Sequence, residues 1–75
     1  GHYFTFQLVN LKVFSESGEF FGVIKEVIEN PGNDYLVVDY QENSYNIPLV
    51  KEFIKFIDFD KKEVVVRRVK EFLEL

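Results

Sequence analysis

A chain with one histidine, at position 2, and no cysteine has few catalytic chemistries open to it. Nucleophilic catalysis of the Ser-His-Asp or Cys-His kind needs an imidazole or thiol fixed within reach of its partner. His2 stands beside Gly1 at the end of the chain, where the pair reads as a remnant of tag cleavage. Carboxylate chemistry, whether metal binding or acid-base catalysis, needs several acids converging on one point. The Asp and Glu residues are instead scattered over turns and outward strand positions, so neither a metal site nor a catalytic pair is expected. No glycine-rich loop opens a helix, which leaves no phosphate cradle. Asp34 lies in "PGNDYLVVDY" (31–40), where Pro-Gly-Asn-Asp runs into a β-rich segment. Asn33 and Asp34 there offer tolerance of positive φ and side-chain bonds to the backbone, which a tight turn uses. The inventory therefore points away from an enzyme and calls for no cofactor.

Binding is better served. Tyr3, Phe4 and Phe6 set aromatic rings ahead of the first clear strand, either packed beneath the fold or exposed to a partner, since Tyr and Phe are enriched at interface centres. Lys51, Lys55, Lys61 and Lys62 form either a solvated surface or a set of contacts to RNA phosphates. Arg67 and Arg68 fall on opposite faces of a strand. Residues 1–50 carry two Lys against seven acids, a net −5, and residues 51–75 a net +1. An autonomous RNA-binding module shows a basic excess, whereas an acidic surface of this kind attracts a basic protein.

The elements that position these groups are strands. "LVNLKVF" (8–14) alternates, with Val9, Leu11 and Val13 on one face. "YLVVDY" (35–40) and "YNIP" (45–48) are rich in β-formers, the second stopped by Pro48. "IKFIDF" (54–59) and "EVVVRR" (63–68) flank "DKK" as a hairpin. "EFFGVIKEVIEN" (19–30) has apolar residues at helical spacing, but Gly22 and the Val/Ile content predict a long bent strand, with Gly22 allowing close backbone approach or a bulge. Val69, Phe72 and Leu73 fit a short helical turn at the C-terminus. The fold class is all-β: a small barrel of five to six strands, its closure removing exposed edges. Seventy-five residues without a disulfide make a single domain, residues 3–75, that must draw its stability from a dense core. Phe53, Phe56 and Phe59 are assigned to that core.

The order of the landmarks carries more information than any one of them. The pair Tyr3-Phe4 precedes "LVNLKVF"; "SGEFFGVIKEV", "GNDYLVV", "NIPLV" and "FIDFDKKEVVV" follow in turn. From Tyr3 to about Phe72 this succession resembles the PRC-barrel domain at the C-terminal end of the RimM ribosome maturation factors, most specifically in "GNDYLVV" followed by "IPLV". The resemblance implies a cytoplasmic, non-enzymatic assembly factor that assists 16S rRNA processing and 30S maturation, together with an N-terminal barrel that this sequence does not contain. It implies contact with the small-subunit head protein numbered nineteen on the immature 30S subunit. Tyr3 and Phe4 would make that contact, with Lys51 and Lys55 as candidate contacts to rRNA or partner.

Gln7-Leu8 and Asn10 stand where the family has Asp-Leu and Gly, which predicts a less tightly bent first turn. Phe4 stands where a Tyr is usual, so a hydroxyl is lost. Two rival readings remain: a PRC-barrel adaptor with a different protein partner, and a small barrel that binds RNA directly through residues 51–70.

Overall fold

The computed structural model describes residues 5–69 and 71. One helical turn, α1 (Thr5–Leu8), leads into six strands: β1 (Lys12–Ser15), β2 (Phe20–Ile28), β3 (Tyr35–Tyr40), β4 (Asn43–Pro48), β5 (Ile54–Asp58) and β6 (Glu63–Val66). They form one sheet in the order β4-β3-β2-β1-β6-β5. All neighbours are antiparallel except β1 and β6, which run parallel. The sheet curls around a core that includes Leu11, Val13, Ile24, Leu36, Val38 and Val64.

The ambiguous segment 19–30 is a strand, and its helix-like spacing has a structural cause. The register slips between Ile24 and Glu26, so Ile24 opposite Val38 and Val27 opposite Leu36 both turn inward, three residues apart. Gly22 allows the close approach of β3. Its φ is +118°, and a Cβ there would lie 2.3 Å from the Asp39 carbonyl oxygen and 2.8 Å from Val38 Cγ1.

The first strand starts later than its alternation suggests. Leu8 belongs to α1, the chain turns at Val9-Asn10, and β1 begins at Lys12. Leu11 N–H donates to the Leu8 carbonyl at 3.3 Å, and Asn10 N–H donates to the Ile24 carbonyl at 2.7 Å. Asn10 has φ +76°, a left-handed conformation that Asn tolerates better than most residues. The turn is therefore tight, contrary to the looser bend expected of a non-glycine residue. The reverse holds for "PGND": neither Asn33 nor Asp34 has positive φ. That loop is held by Leu49 N–H donating to the Asp34 carbonyl at 2.8 Å. Left-handed residues sit in the hairpin loops instead, Gln41 between β3 and β4 and Lys62 between β5 and β6.

The curled six-stranded sheet is the small all-β barrel expected, with β4 and β5 at the ends of its hydrogen-bonded order; Pro48 on β4 blunts one of these edges. Two further expectations change. Phe53 packs against the core, but Phe56 is 50% and Phe59 39% exposed. The cause for Phe56 is register: it pairs with outward-facing Val65, while Ile57 pairs with buried Val64 and takes the inward place. Arg67 and Arg68 lie beyond the end of β6, and Arg68 has φ +56°. Glu71 N–H donates to the Arg68 carbonyl at 3.1 Å; Phe72 and Leu73, which the C-terminal helical turn was expected to use, lie outside the described residues.

Candidate functional site

Tyr3 and Phe4 also lie outside the described residues. The structure does fix the chain that follows them. α1 packs on β2, with Leu8 buried at its end and Phe6 exposed, and Asn10 ties the following turn to Ile24 on β2.

Lys51 and Lys55 are exposed and line one shallow hollow of about 270 Å³ with Leu49, Val50, Ile54, Phe56 and Ile57. They do not make a basic patch. Lys55 Nζ lies 3.3 Å from Glu16 Oε2. Arg68, farther along, is shared between Glu52 and Glu71 and stacks over the Phe53 ring at 5.5 Å. Lys25 stands 3.9 Å from Asp39. Acids interleave with the cations, so no phosphate-tracking stripe forms across residues 51–68.

A feature that the sequence reading missed lies on the outside of the sheet. Phe20 is opposite Phe14 across β2 and β1, Phe14 is opposite Val65 across β1 and β6, and Val65 is opposite Phe56 across β6 and β5. These four residues form one apolar row over four strands, on the face away from buried Phe21, Val13, Val64 and Val66. The Phe14 and Phe20 rings meet edge to face at 5.6 Å between centroids. Phe20 is 46% and Phe56 50% exposed. Between Phe14 and Phe56, over Val65, lies a hollow of about 390 Å³ bordered by Glu16, Lys55 and Glu63. The signal was present in the sequence: "VF", "FF" and "VVV" are apolar at consecutive positions, and consecutive strand residues face opposite ways.

No three His, Cys, Asp or Glu side chains are placed to hold a metal among the described residues. The titratable group with the largest displacement is structural. Half-buried Tyr45 donates its hydroxyl to the Phe21 carbonyl at 2.7 Å. Burial, and secondarily the neighbouring Tyr40, pushes its phenol well above the ordinary 10.0. No helix among the described residues is long and apolar enough to cross a membrane.

Comparison with known proteins points one way. The family model described as the RimM PRC barrel domain matches residues 5–71. A ribosome maturation factor RimM of Fervidobacterium nodosum is 34% identical over 74 residues, covering 99% of this chain and 41% of that protein. One from a Thermoanaerobacter species is 41% identical over 64 residues, covering 85% of this chain and 38% of the relative. The chain thus spans about two fifths of the length of these curated relatives. A crystal structure of a 16S ribosomal RNA processing protein RimM from Pseudomonas aeruginosa superposes with TM-score 0.84 at 27% identity, covering 93% of this chain and 46% of that one.

Proposed function

The chain belongs to the RimM family as its PRC barrel domain, and on that premise we propose that it acts in ribosome biogenesis, as a non-enzymatic docking domain in maturation of the small subunit. The observation that supports this reading is the family match over residues 5–71, in a chain whose relatives are named ribosome maturation factors. Its partner is the small-subunit head protein numbered nineteen on the immature 30S particle, in the cytoplasm. The aromatic pair Tyr3 and Phe4 makes the contact, ahead of the anchored turn at Leu8–Leu11. Lys51, which has no ion pair among the described residues, supplies a lesser contact to rRNA or partner, and Lys55 joins it only by giving up Glu16. Holding a basic protein in an assembly-competent arrangement requires preferential binding to one of its states and no bond chemistry. Direct RNA binding is disfavoured by the interleaved acids around Lys55 and Arg68.

The test is a titration of this domain with the purified head protein numbered nineteen, alongside the variant Tyr3→Ala/Phe4→Ala. Saturable binding by the wild type, lost in a variant that melts at the same temperature, is the expected result. A well-folded wild type that does not bind ends the proposal that this domain holds the partner by itself.

A further inference from the structure

We propose that the outer hollow between Phe14 and Phe56 receives an arginine side chain from an extended, basic and partly apolar segment of a protein partner. The idea rests on the docking reading for the class of partner but names a surface other than the aromatic pair.

Strand spacing puts Phe14 and Phe56, two strands apart across Val65, about 10 Å from each other. That gap accommodates one flat side chain between two rings. The floor is Val65, which suits an aliphatic stem, and aromatic flanks favour a cation over their faces. Glu16 and Glu63 border the same hollow, so the guanidinium meets carboxylate acceptors where its stem ends. Lys55 is the resident rival: it already holds Glu16 at 3.3 Å, while Glu63 has no ion pair among the described residues.

The charges around the hollow select among occupants. Asp58 lies opposite Glu63 in the adjoining row, with Lys12 on the other side, and Glu19 stands in the turn beyond Glu16. The balance is acidic, which repels RNA phosphates and a second copy of the same face. A basic polypeptide is favoured instead. β5 is an edge of the sheet, so an extended segment also finds unpaired backbone groups beside Phe56.

Amide shifts of the isotope-labelled domain, titrated with Ac-Val-Arg-Phe-Arg-Val-amide and with its glutamate counterpart Ac-Val-Glu-Phe-Glu-Val-amide, test this. The arginine peptide is expected to shift Phe14, Phe56, Glu63 and Val65 and the glutamate peptide to leave them unmoved. Phe56→Gln is expected to weaken the arginine peptide about tenfold, as loss of a central aromatic anchor does. Glu63→Gln weakens it less, and Tyr3→Ala/Phe4→Ala not at all. Equal binding of both peptides, shifts confined to another face, or no shift at millimolar peptide overturns the proposal. So does self-association of the domain that Phe56→Gln abolishes, because the face is then an interface between copies. Loss of the head protein in the Tyr3→Ala/Phe4→Ala variant, with the peptide result negative, leaves the docking reading standing and removes this one.

Discussion

The outer faces of the two halves of the sheet are built differently, although their inner faces are alike. On the β3–β4 hairpin, Asp39, Ser44 and Asn46 point outward; Ser44 Oγ donates to Asp39 Oδ1 at 3.2 Å and Lys25 lies 3.9 Å from the same carboxylate. Apolar outward residues there are Ile28, Tyr35, Val37 and Pro48, and Val37 is only 8% exposed. Across β1, β6 and β5 the outward row is Phe14, Val65 and Phe56, prolonged by Phe20. Burial dictates the inner residues of both halves. It places no such demand on the outer ones, and a free-standing antiparallel sheet normally makes them polar. The hairpin follows that rule at Asp39, Ser44 and Asn46 and keeps its outward Val37 covered, whereas the β1–β6–β5 half leaves the large rings of Phe20 and Phe56 exposed. The departure is the observation on which the proposed arginine-binding hollow rests.

The two halves meet at Gly22, and the largest effect is expected there. Gly22→Ala places a methyl group against the Asp39 carbonyl and forces an L-residue to φ +118°. Backbone strain and overpacking together cost at least about 3 kcal/mol. A domain of this size has little stability to spare, so urea denaturation should show a chain largely unfolded without denaturant. If the variant folds normally, the halves are less rigidly joined than the contact implies.

The inner faces should respond alike. Leu36→Ala on the hairpin side and Leu11→Ala ahead of β1 both open cavities in one shared core. Each should cost about 2–5 kcal/mol, read as matched falls in urea midpoint at constant slope. A cost confined to one of them would show two loosely coupled cores and weaken the comparison.

How far this was legible in the sequence follows the same division. The strands of β2, β3, β4 and the β5–β6 hairpin could be read because β-branched residues and turn signals agree locally. Gly22 was legible as a close approach or bulge because it interrupts an apolar run. What failed were inferences needing register. "LVNLKVF" alternates through Leu11 and Val13, yet Asn10 breaks the chain direction between them and Leu8. Phe56 looked like core because a small domain needs large residues inside, but its pairing with Val65 sends it outward. The interior is filled mostly by Val, Ile and Leu, with Phe21 among them, and these suit a tightly curled sheet. Open edges at β4 and β5 could not be read, because closure depends on strand tilt that local pattern does not encode. The candidate contacts at Tyr3 and Phe4 rest on residue type and on the resemblance, and both residues lie outside the described ones.

Tyr45 supplies a smaller effect, specific to the hairpin side. Its hydroxyl bonds the Phe21 carbonyl, and Tyr45→Phe should cost about 1 kcal/mol at neutral pH. The pH dependence sharpens the assignment. The unfolded phenol ionises near 10.0, and burial holds the folded one neutral to higher pH. The stabilisation is therefore whole below pH 10.0 and declines above it, as the unfolded state loses its proton first. Thermal melts of Tyr45→Phe between neutral and alkaline pH should decline less steeply than those of the wild type. Parallel curves would show that the hydroxyl is solvated in the fold.

The smallest stability change is expected on the face that departs from the rule. Phe56 is 50% exposed on an edge strand, and Thr is a good strand former that keeps the backbone content. Phe56→Thr should shift stability by no more than about 0.5 kcal/mol, the usual range for a surface position. The same change should weaken binding of the arginine peptide, because it removes one aromatic wall of the outer hollow. Urea titration measures the first and the amide-shift titration the second. If Phe56→Thr instead costs as much as Leu36→Ala, the ring belongs to the folding of the β5–β6 hairpin. The outer row would then be structural, and the contrast between the two halves would reflect packing rather than recognition. An unchanged midpoint with weakened peptide binding leaves recognition as the physical reason for three phenylalanines on the outside of so small a sheet.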